Sequence, residues 1–185
     1  MHKLKFQGAF GLPQDEETYV LSLIDENEER VVSIVTNRSL ANEFRDIQDK
    51  NVDTKNHLPF VLCSLIENGL GFHHRIQFHG VKDVGLEASL VDLLTDKHIP
   101  LRQDEAVLLS VVAGIDIYAD MDVFRYFSTP FSKKAVQVAL PILSLPDNML
   151  QVALKEAVKQ ENYESASYIR DEINRRKQRK QSDAE

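Results

Sequence analysis

Asn148 to Lys177 reads NMLQVALKEAVKQENYESASYIRDEINRRK. Leu150, Leu154, Ala157 and Val158 recur at three- and four-residue steps, which draws one apolar stripe along a first helix. The pattern breaks at Gln160-Glu161-Asn162. Asn162 is placed to cap a second helix, with Glu164 in its positive first turn. That second helix puts Tyr163, Ala166, Ile169 and Ile173 on one face. Neither helix is long enough to be stable alone in water. An antiparallel hairpin that buries the two stripes against each other is the simplest outcome.

The chain around this hairpin has an ordinary globular composition. Its 185 residues, 43% hydrophobic and 28% charged, suit one medium domain plus a small appendage. A domain of about 150 residues buries roughly two thirds of its unfolded surface, so it needs no staples. The single cysteine, Cys63, has no internal disulfide partner, which fits a reducing cytoplasm. Met1 to Gln14 holds no long apolar run, so no secretory signal is expected. The longest apolar stretch, Ala106 to Ile115, is too short to span a bilayer, and no membrane partner is expected. The net charge of −7 argues against a broad phosphate-binding surface. It leaves room for a local basic site.

Upstream of the hairpin, strand and helix patterns alternate. His2 to Phe6 reads as an opening strand, and Gly8, Gly11 and Pro13 then mark a loop. Thr18 to Ile24 and Arg30 to Thr36 form a β-hairpin around the acidic turn Asp25 to Glu29. Asn37 or Ser39 caps a helix with Leu40, Phe44 and Ile47 on one face. A second helix runs from about Leu58 to Asn68, ended by Gly69. Phe72 to Val81 is a strand with Phe72, His74, Ile76 and Phe78 on one face and His73, Arg75, Gln77 and His79 on a solvated one. Leu86 to Leu94 pairs next and turns into His98 to Leu101. Gln103 to Ala113 is a helix that stops at Gly114. Ile115 to Ala119 is a short strand, and Asp120 caps a short helix through Phe127. Pro141 and Pro146 make Lys133 to Leu145 an extended arm rather than a central strand.

Ser22-Leu23-Ile24-Asp25 recurs as Ser89-Leu90-Val91-Asp92. Each copy lies in a strand that turns into another strand, then an Arg-containing link (Arg38, Arg102), then a helix with an early Ala (Ala41, Ala106). This predicts a duplicated strand–strand–helix unit. The expected fold is therefore α+β, a mixed or antiparallel sheet with packed helices, followed by the α-helical hairpin. The expected domains are residues 1–145, the hairpin at 147–180, and a disordered tail at 181–185. An edge strand at Leu4 to Phe6 would leave the protein open to homo-oligomer formation.

The run Tyr163-Glu164-Ser165-Ala166-Ser167-Tyr168-Ile169-Arg170-Asp171-Glu172-Ile173 resembles the UVR motif. That motif is the helical hairpin of the excinuclease B and C subunits and of some Clp-associated regulators. Tyr163, Glu164, Ala166, Arg170, Asp171 and Ile173 fit its pattern, while Ser167 replaces its second Ala. The resemblance implies a protein partner, often a second hairpin of the same kind. Tyr163, Ile169 and Ile173 would make the contact, and Arg170 and Asp171 would pair charges.

Ile99 to Tyr118, IPLRQDEAVLLSVVAGIDIY, resembles a diverged signature helix of the bifunctional nuclease (BFN) family. Ile99, Arg102, Ala106, Leu109, Gly114, Ile117 and Tyr118 fall in step with it. Some bacterial members are similar in carrying a C-terminal UVR hairpin. The resemblance implies a cytoplasmic nuclease-like protein that hydrolyses DNA or RNA phosphodiesters. Pro100 stands where the family has its first Asp, Asp104-Glu105 replaces its Ser-Asp, and its Thr-His-Asp motif has no clean counterpart. Arg102, Asp104, Glu105 and His57 are the candidate catalytic set: Arg102 for phosphate, the carboxylates for Mg²⁺ or Mn²⁺, and His57 for proton transfer. A structural ion pair between Arg102 and Glu105, with Asp104 capping the helix, accounts for the same residues. The alternative function is a non-catalytic interaction or adaptor protein whose core has lost its chemistry.

Other candidates carry less. His73 and His74 point to opposite strand faces, and His73 and His79 lie roughly 20 Å apart, too far to share a metal. Cys63 sits in an apolar helix as a small hydrophobe. The basic block Arg175, Arg176, Lys177, Arg179 and Lys180 reads either as a nucleic-acid contact or as a helix end whose charge suits the dipole.

Overall fold

The structure, a computed structural model, describes residues 1–12, 15–49, 51–65, 73–82, 85–131, 145, 147–159 and 161–182. Chain contacts divide the protein into Met1–Ala139 and Leu140–Glu185. The first unit holds strands β1 (His2–Leu12), β2 (Asp15–Asp25), β3 (Arg30–Asn37), β4 (His74–Lys82), β5 (Gly85–Asp92), β6 (Lys97–Leu101), β7 (Ile117–Ala119) and β8 (Ser128–Pro130). Its helices are α1 (Arg38–Gln48), α2 (Leu58–Leu65), α3 (Gln103–Ala113) and α4 (Met121–Phe127). The second unit is the hairpin of α5 (Asp147–Lys159) and α6 (Tyr163–Ser182). The fold class is α+β, as the alternation of patterns predicts.

The strands form one 8-stranded sheet in the order β6-β5-β4-β7-β1-β2-β3-β8. Only the β4–β7 ladder is parallel among those described, which makes the sheet mixed. β2 and β3 are rich in branched residues and pair in strict register from Thr18↔Asn37 to Ile24↔Val31. Val20, Leu21, Ser22 and Leu23 are all buried, so this part of the sheet is covered on both faces. α1 packs on β1 through Phe44, whose ring lies 4.7 Å from that of Phe6. Asn37 is the cap of α1, its Oδ1 accepting from Leu40 N at 2.9 Å. α3 ends on Gly114, whose φ of 66° is the left-handed conformation that closes helices.

The duplicated unit is present, and it is larger than the sequence pattern predicts. β1-β2-β3-α1 and β4-β5-β6-α3 are its two copies, and β7 lies between their first strands. HKLKFQG (His2 to Gly8) matches HRIQFHG (His74 to Gly80). Each copy has a β-bulge at the same place, between Phe6 and Gly8 and between Phe78 and Gly80. Each bulge is held by the serine of the repeated SLID or SLVD. Ser22 Oγ donates to Gln7 Oε1 at 3.1 Å, and His79 Nε2 lies 2.9 Å from Ser89 Oγ.

Several expectations are corrected. The loop expected at Gly8 to Pro13 is strand as far as Leu12, because the glycines are absorbed by the bulge and the pairing with β2 continues. Leu4 to Phe6 is no edge: β1 lies between β7 and β2, and the edges are β6 and β8. The second face of β4 is not simply solvated, since Gln77 is buried and Arg75 half-buried. Gln181 and Ser182, expected in a disordered tail, continue α6 without a break. Residues 183–185, the expected end of the helix after Leu58, Phe72, and most of the arm at 133–145 lie outside the described residues.

Candidate functional site

The hairpin is built by the stripes that the sequence shows, except that Val158 and Tyr163, expected on the buried faces, lie in solvent beside the turn. Leu145, Leu150, Ala157, Ala166 and Ile169 form its buried core, with Met149, Ala153, Leu154 and Ile173 packed against them. The turn is tight: Asn162 N donates to Ala157 O at 2.9 Å, and Ala166 N to Asn162 O at 3.0 Å. Glu161 takes a positive φ of 57° to make it. Leu145, expected at the end of the first domain, is part of this core.

A buried ionic clasp ties the far end of α6 to the start of α5. Glu172 Oε1 accepts from Arg176 Nε at 2.7 Å and from Arg175 Nη2 at 2.9 Å, and its Oε2 accepts from Arg175 Nε at 2.7 Å. Arg176 Nη1 donates to Leu145 O at 2.6 Å and to Asp147 Oδ1 at 3.1 Å. Burial works to raise the Glu172 pKa, and the hydrogen bonds and charges of the two arginines outweigh it, holding the carboxyl below its ordinary value.

The sequence-predicted contact residues divide. Ile169 is buried and Ile173 half-buried in the hairpin's own core, so they hold the hairpin together rather than face a partner. Tyr163 is 68% exposed, and Arg170 and Asp171 pair in solvent at 2.9 Å. Tyr168, at 65%, Val152 and Val158 are exposed too. Val152 and Tyr168 lie off the apolar stripes, and their exposure agrees with that. Of the basic block, Arg176 is only 6% exposed and is spent inside the clasp, so it is removed from any nucleic-acid surface. Arg175 is committed to Glu172, and Lys177 is exposed. The side chains of Arg179 and Lys180 lie outside the described residues.

In the first unit, a cleft of about 280 Å³ opens beside the start of α3, lined by Val35, Gly85, Leu86, Leu101, Arg102, Gln103 and Asp104. Asp104 is 4% exposed. Its Oδ2 accepts from Arg102 Nη2 at 3.0 Å and from Thr36 Oγ1 at 3.1 Å, and its Oδ1 accepts from Glu105 N at 3.0 Å. Arg102 also reaches Glu105 at 3.5 Å. Gln103 closes the cleft by accepting from Leu86 N at 2.8 Å. Asp104 thus ties α3 to β3, and it satisfies an N–H of the helix start. The structure brings Arg102, Asp104 and Glu105 together. His57 stands before α2, and none of the described hydrogen bonds or ion pairs links its side chain to them.

These residues do not fit Mg²⁺ or Mn²⁺. Both oxygens of Asp104 are already taken, one by a guanidinium, and hard cations need several free oxygen ligands. Among the described residues no group of three or more His, Cys, Asp or Glu is arranged to hold a metal. The Ser89–His79 contact has the spacing of a nucleophile and base. Its counterpart in the other copy is Ser22–Gln7, which has no base, so the pair is read as a bulge lock. Burial pushes the Cys63 thiol up, away from thiolate reactivity.

Residues 150–179 match the family model of the UvrB/uvrC motif, so a UVR motif lies over the hairpin. No curated protein matches the chain. Among the described residues, no helix is long and apolar enough to cross a membrane.

Proposed function

We propose that this protein is a cytoplasmic interaction module that docks a protein partner through its UVR hairpin. The observation that carries this reading is that the hairpin fills its own core and still exposes Tyr163 and Tyr168. Exposed aromatics on a rigid scaffold are good anchors for an interface. Arg170 and Asp171 then contribute charge specificity at the rim. The partner we favour carries a second hairpin of this kind. A second copy of this chain meets that description, which would make the protein a homo-oligomer.

The test is affinity capture with the full chain and with the double variant Tyr163→Ala/Tyr168→Ala. The expected result is a specific partner, or self-association, that falls at least tenfold in the double variant while Tm stays unchanged. Equal capture by both forms would remove these tyrosines from the interface.

A second reading makes the first unit a BFN-like nuclease domain. It is supported by the placement of Arg102 and Asp104 along the cleft and by the exposure of Arg102, 64% at its side chain. In this reading Arg102 holds a phosphate of DNA or RNA and the exposed Glu105 takes a proton. An assay on single- and double-stranded DNA and RNA, with Mg²⁺, Mn²⁺ and chelator, would decide it. We expect no cleavage in any arm. Cleavage that disappears in Arg102→Ala would instead establish the nuclease.

A further inference from the structure

The duplicated first strands place two cations in equivalent positions, and among the described residues only one of them is paired with a carboxylate. Aligning HKLKFQG with HRIQFHG matches Lys3 to Arg75. Lys3 and Gln77 each pair with Tyr118 of β7, from its two sides. Arg75 is two residues from Gln77 and shares its face. Lys3, Tyr118, Gln77 and Arg75 therefore lie on one face of the three central strands. Asp116, just before β7, lies between the two cations, its carbonyl accepting from Ile76 N at 2.9 Å. Its carboxylate goes to Lys3, with Oδ2 2.6 Å from Nζ, and that bond raises the Lys3 pKa.

Among the described residues no carboxylate is bound directly to Arg75, and its Nε is shielded from solvent without an acceptor. Its direction is nevertheless fixed. Arg75 Nη2 donates to Gln77 Oε1 at 2.9 Å, and Gln77 Nε2 donates to Asp120 Oδ1 at 2.8 Å. Because the Gln77 amide nitrogen is committed to Asp120, its oxygen must face the guanidinium. Asp120 compensates the charge only through Gln77, and it stands at the start of α4, where the helix dipole also draws on it. A half-buried cation without a direct partner is costly. A guanidinium fixed in direction is a preorganised fork for an oxyanion.

We infer that Arg75, with Lys3 and Tyr118 beside it, is the receptor for a small oxyanion, a phosphate or a carboxylate, on the face of β4, β7 and β1. The site is distinct from the cleft at Arg102 and does not depend on the hairpin reading. Nη1 and the second hydrogen of Nη2 are the donors offered to the ligand. Gln77 and Asp120 are positioning residues.

The full chain is titrated calorimetrically with inorganic phosphate and, separately, with acetate at matched ionic strength. Thermal unfolding is followed in parallel. At a tenfold excess over Kd the expected rise in Tm is about 3–6 °C. Arg75→Gln is expected to abolish binding, and Arg75→Lys, which keeps the charge and loses the fork, to weaken it at least tenfold. A response to phosphate alone assigns a phosphoryl ligand, and a response to acetate assigns a carboxylate. The proposal is overturned if the wild type binds neither anion, or if Arg75→Gln binds as well as the wild type. Should Arg75→Gln not fold, the wild type and Arg75→Lys decide the matter.

Discussion

Glu172→Ala is expected to unfold the hairpin while leaving the sheet intact. Glu172 is buried and receives three hydrogen bonds from Arg175 and Arg176. Removing it deprives the buried Arg176 guanidinium of the carboxylate that accepts its Nε hydrogen. Breaking a buried pair in this way costs about 3–5 kcal/mol. Units below about 40 residues hold little stability in reserve, so a loss of this size exceeds what the hairpin can absorb. Hydrogen exchange on the full chain would read it: α5 and α6 lose protection while β1 to β5 keep theirs. Arg175→Ala is the control. Its side chain is largely in solvent and the Arg176 bond survives it, so its cost is about 1 kcal/mol or less. Full protection of α5 and α6 in Glu172→Ala would show that the apolar core alone holds the hairpin. The same clasp sets an acid limit. The folded pKa of Glu172 lies below its ordinary 4.5. Its stabilisation is therefore complete above that value and is lost as pH falls through the lower folded pKa. The helical signal of α5 and α6 should decline on acidification below about pH 4.5, and in Glu172→Gln this dependence should shrink to what the Asp147–Arg176 pair contributes.

Phe44→Ala should be the most damaging single truncation tested in the first unit. Phe44 is 1% exposed, and its contact with Phe6 joins α1 to the centre of the sheet. Truncating a buried Phe costs about 3–5 kcal/mol through lost burial and the cavity left behind. For a chain of this length that corresponds to a Tm lower by roughly 6–20 °C. Denaturant unfolding should show a lower midpoint with an unchanged slope. A midpoint within error of the wild type would mean that α1 is not part of the cooperative core.

The elements with a strong period were legible. α3 spans Gln103 to Ala113 and stops at Gly114, as its sequence predicts, because an apolar run ending in glycine admits few alternatives. The hairpin was legible too, since its stripes and its break at Gln160 to Asn162 are local. The sequence pattern ends β1 early because Gly8 and Gly11 resemble loop residues. A bulge can absorb them only when a paired strand is present, and pairing is not a local property. The repeat HKLKFQG/HRIQFHG was in the sequence and would have extended the duplicated unit by a strand. It escapes a search for identical residues because Leu4/Ile76 and Lys3/Arg75 preserve character rather than identity.

For the candidate sites the division is different. Residue type alone gave Arg102, Asp104 and Glu105 as a cluster, and they do meet. Only the contacts reveal that Asp104 is spent on Thr36 and the helix start, which leaves no ligand set for a cation. Likewise Arg175, Arg176 and Lys177 are equivalent as letters in a basic block. Their positions around α6 turn Arg176 inward and Lys177 outward, because consecutive residues on a helix are about 100° apart.

The sequence by itself determined the α+β class, the duplication, and the hairpin with its UVR pattern. These follow from periodicity, capping and turn residues, which act over a few neighbours. The tertiary structure alone decided the strand order around β7 and the burial of Arg176. It also decided which of two equivalent cations, Lys3 and Arg75, receives Asp116. Those outcomes depend on groups separated by tens of residues, and by 113 for Lys3 and Asp116, competing for one another, and competition of that kind is settled by where the folded chain puts them.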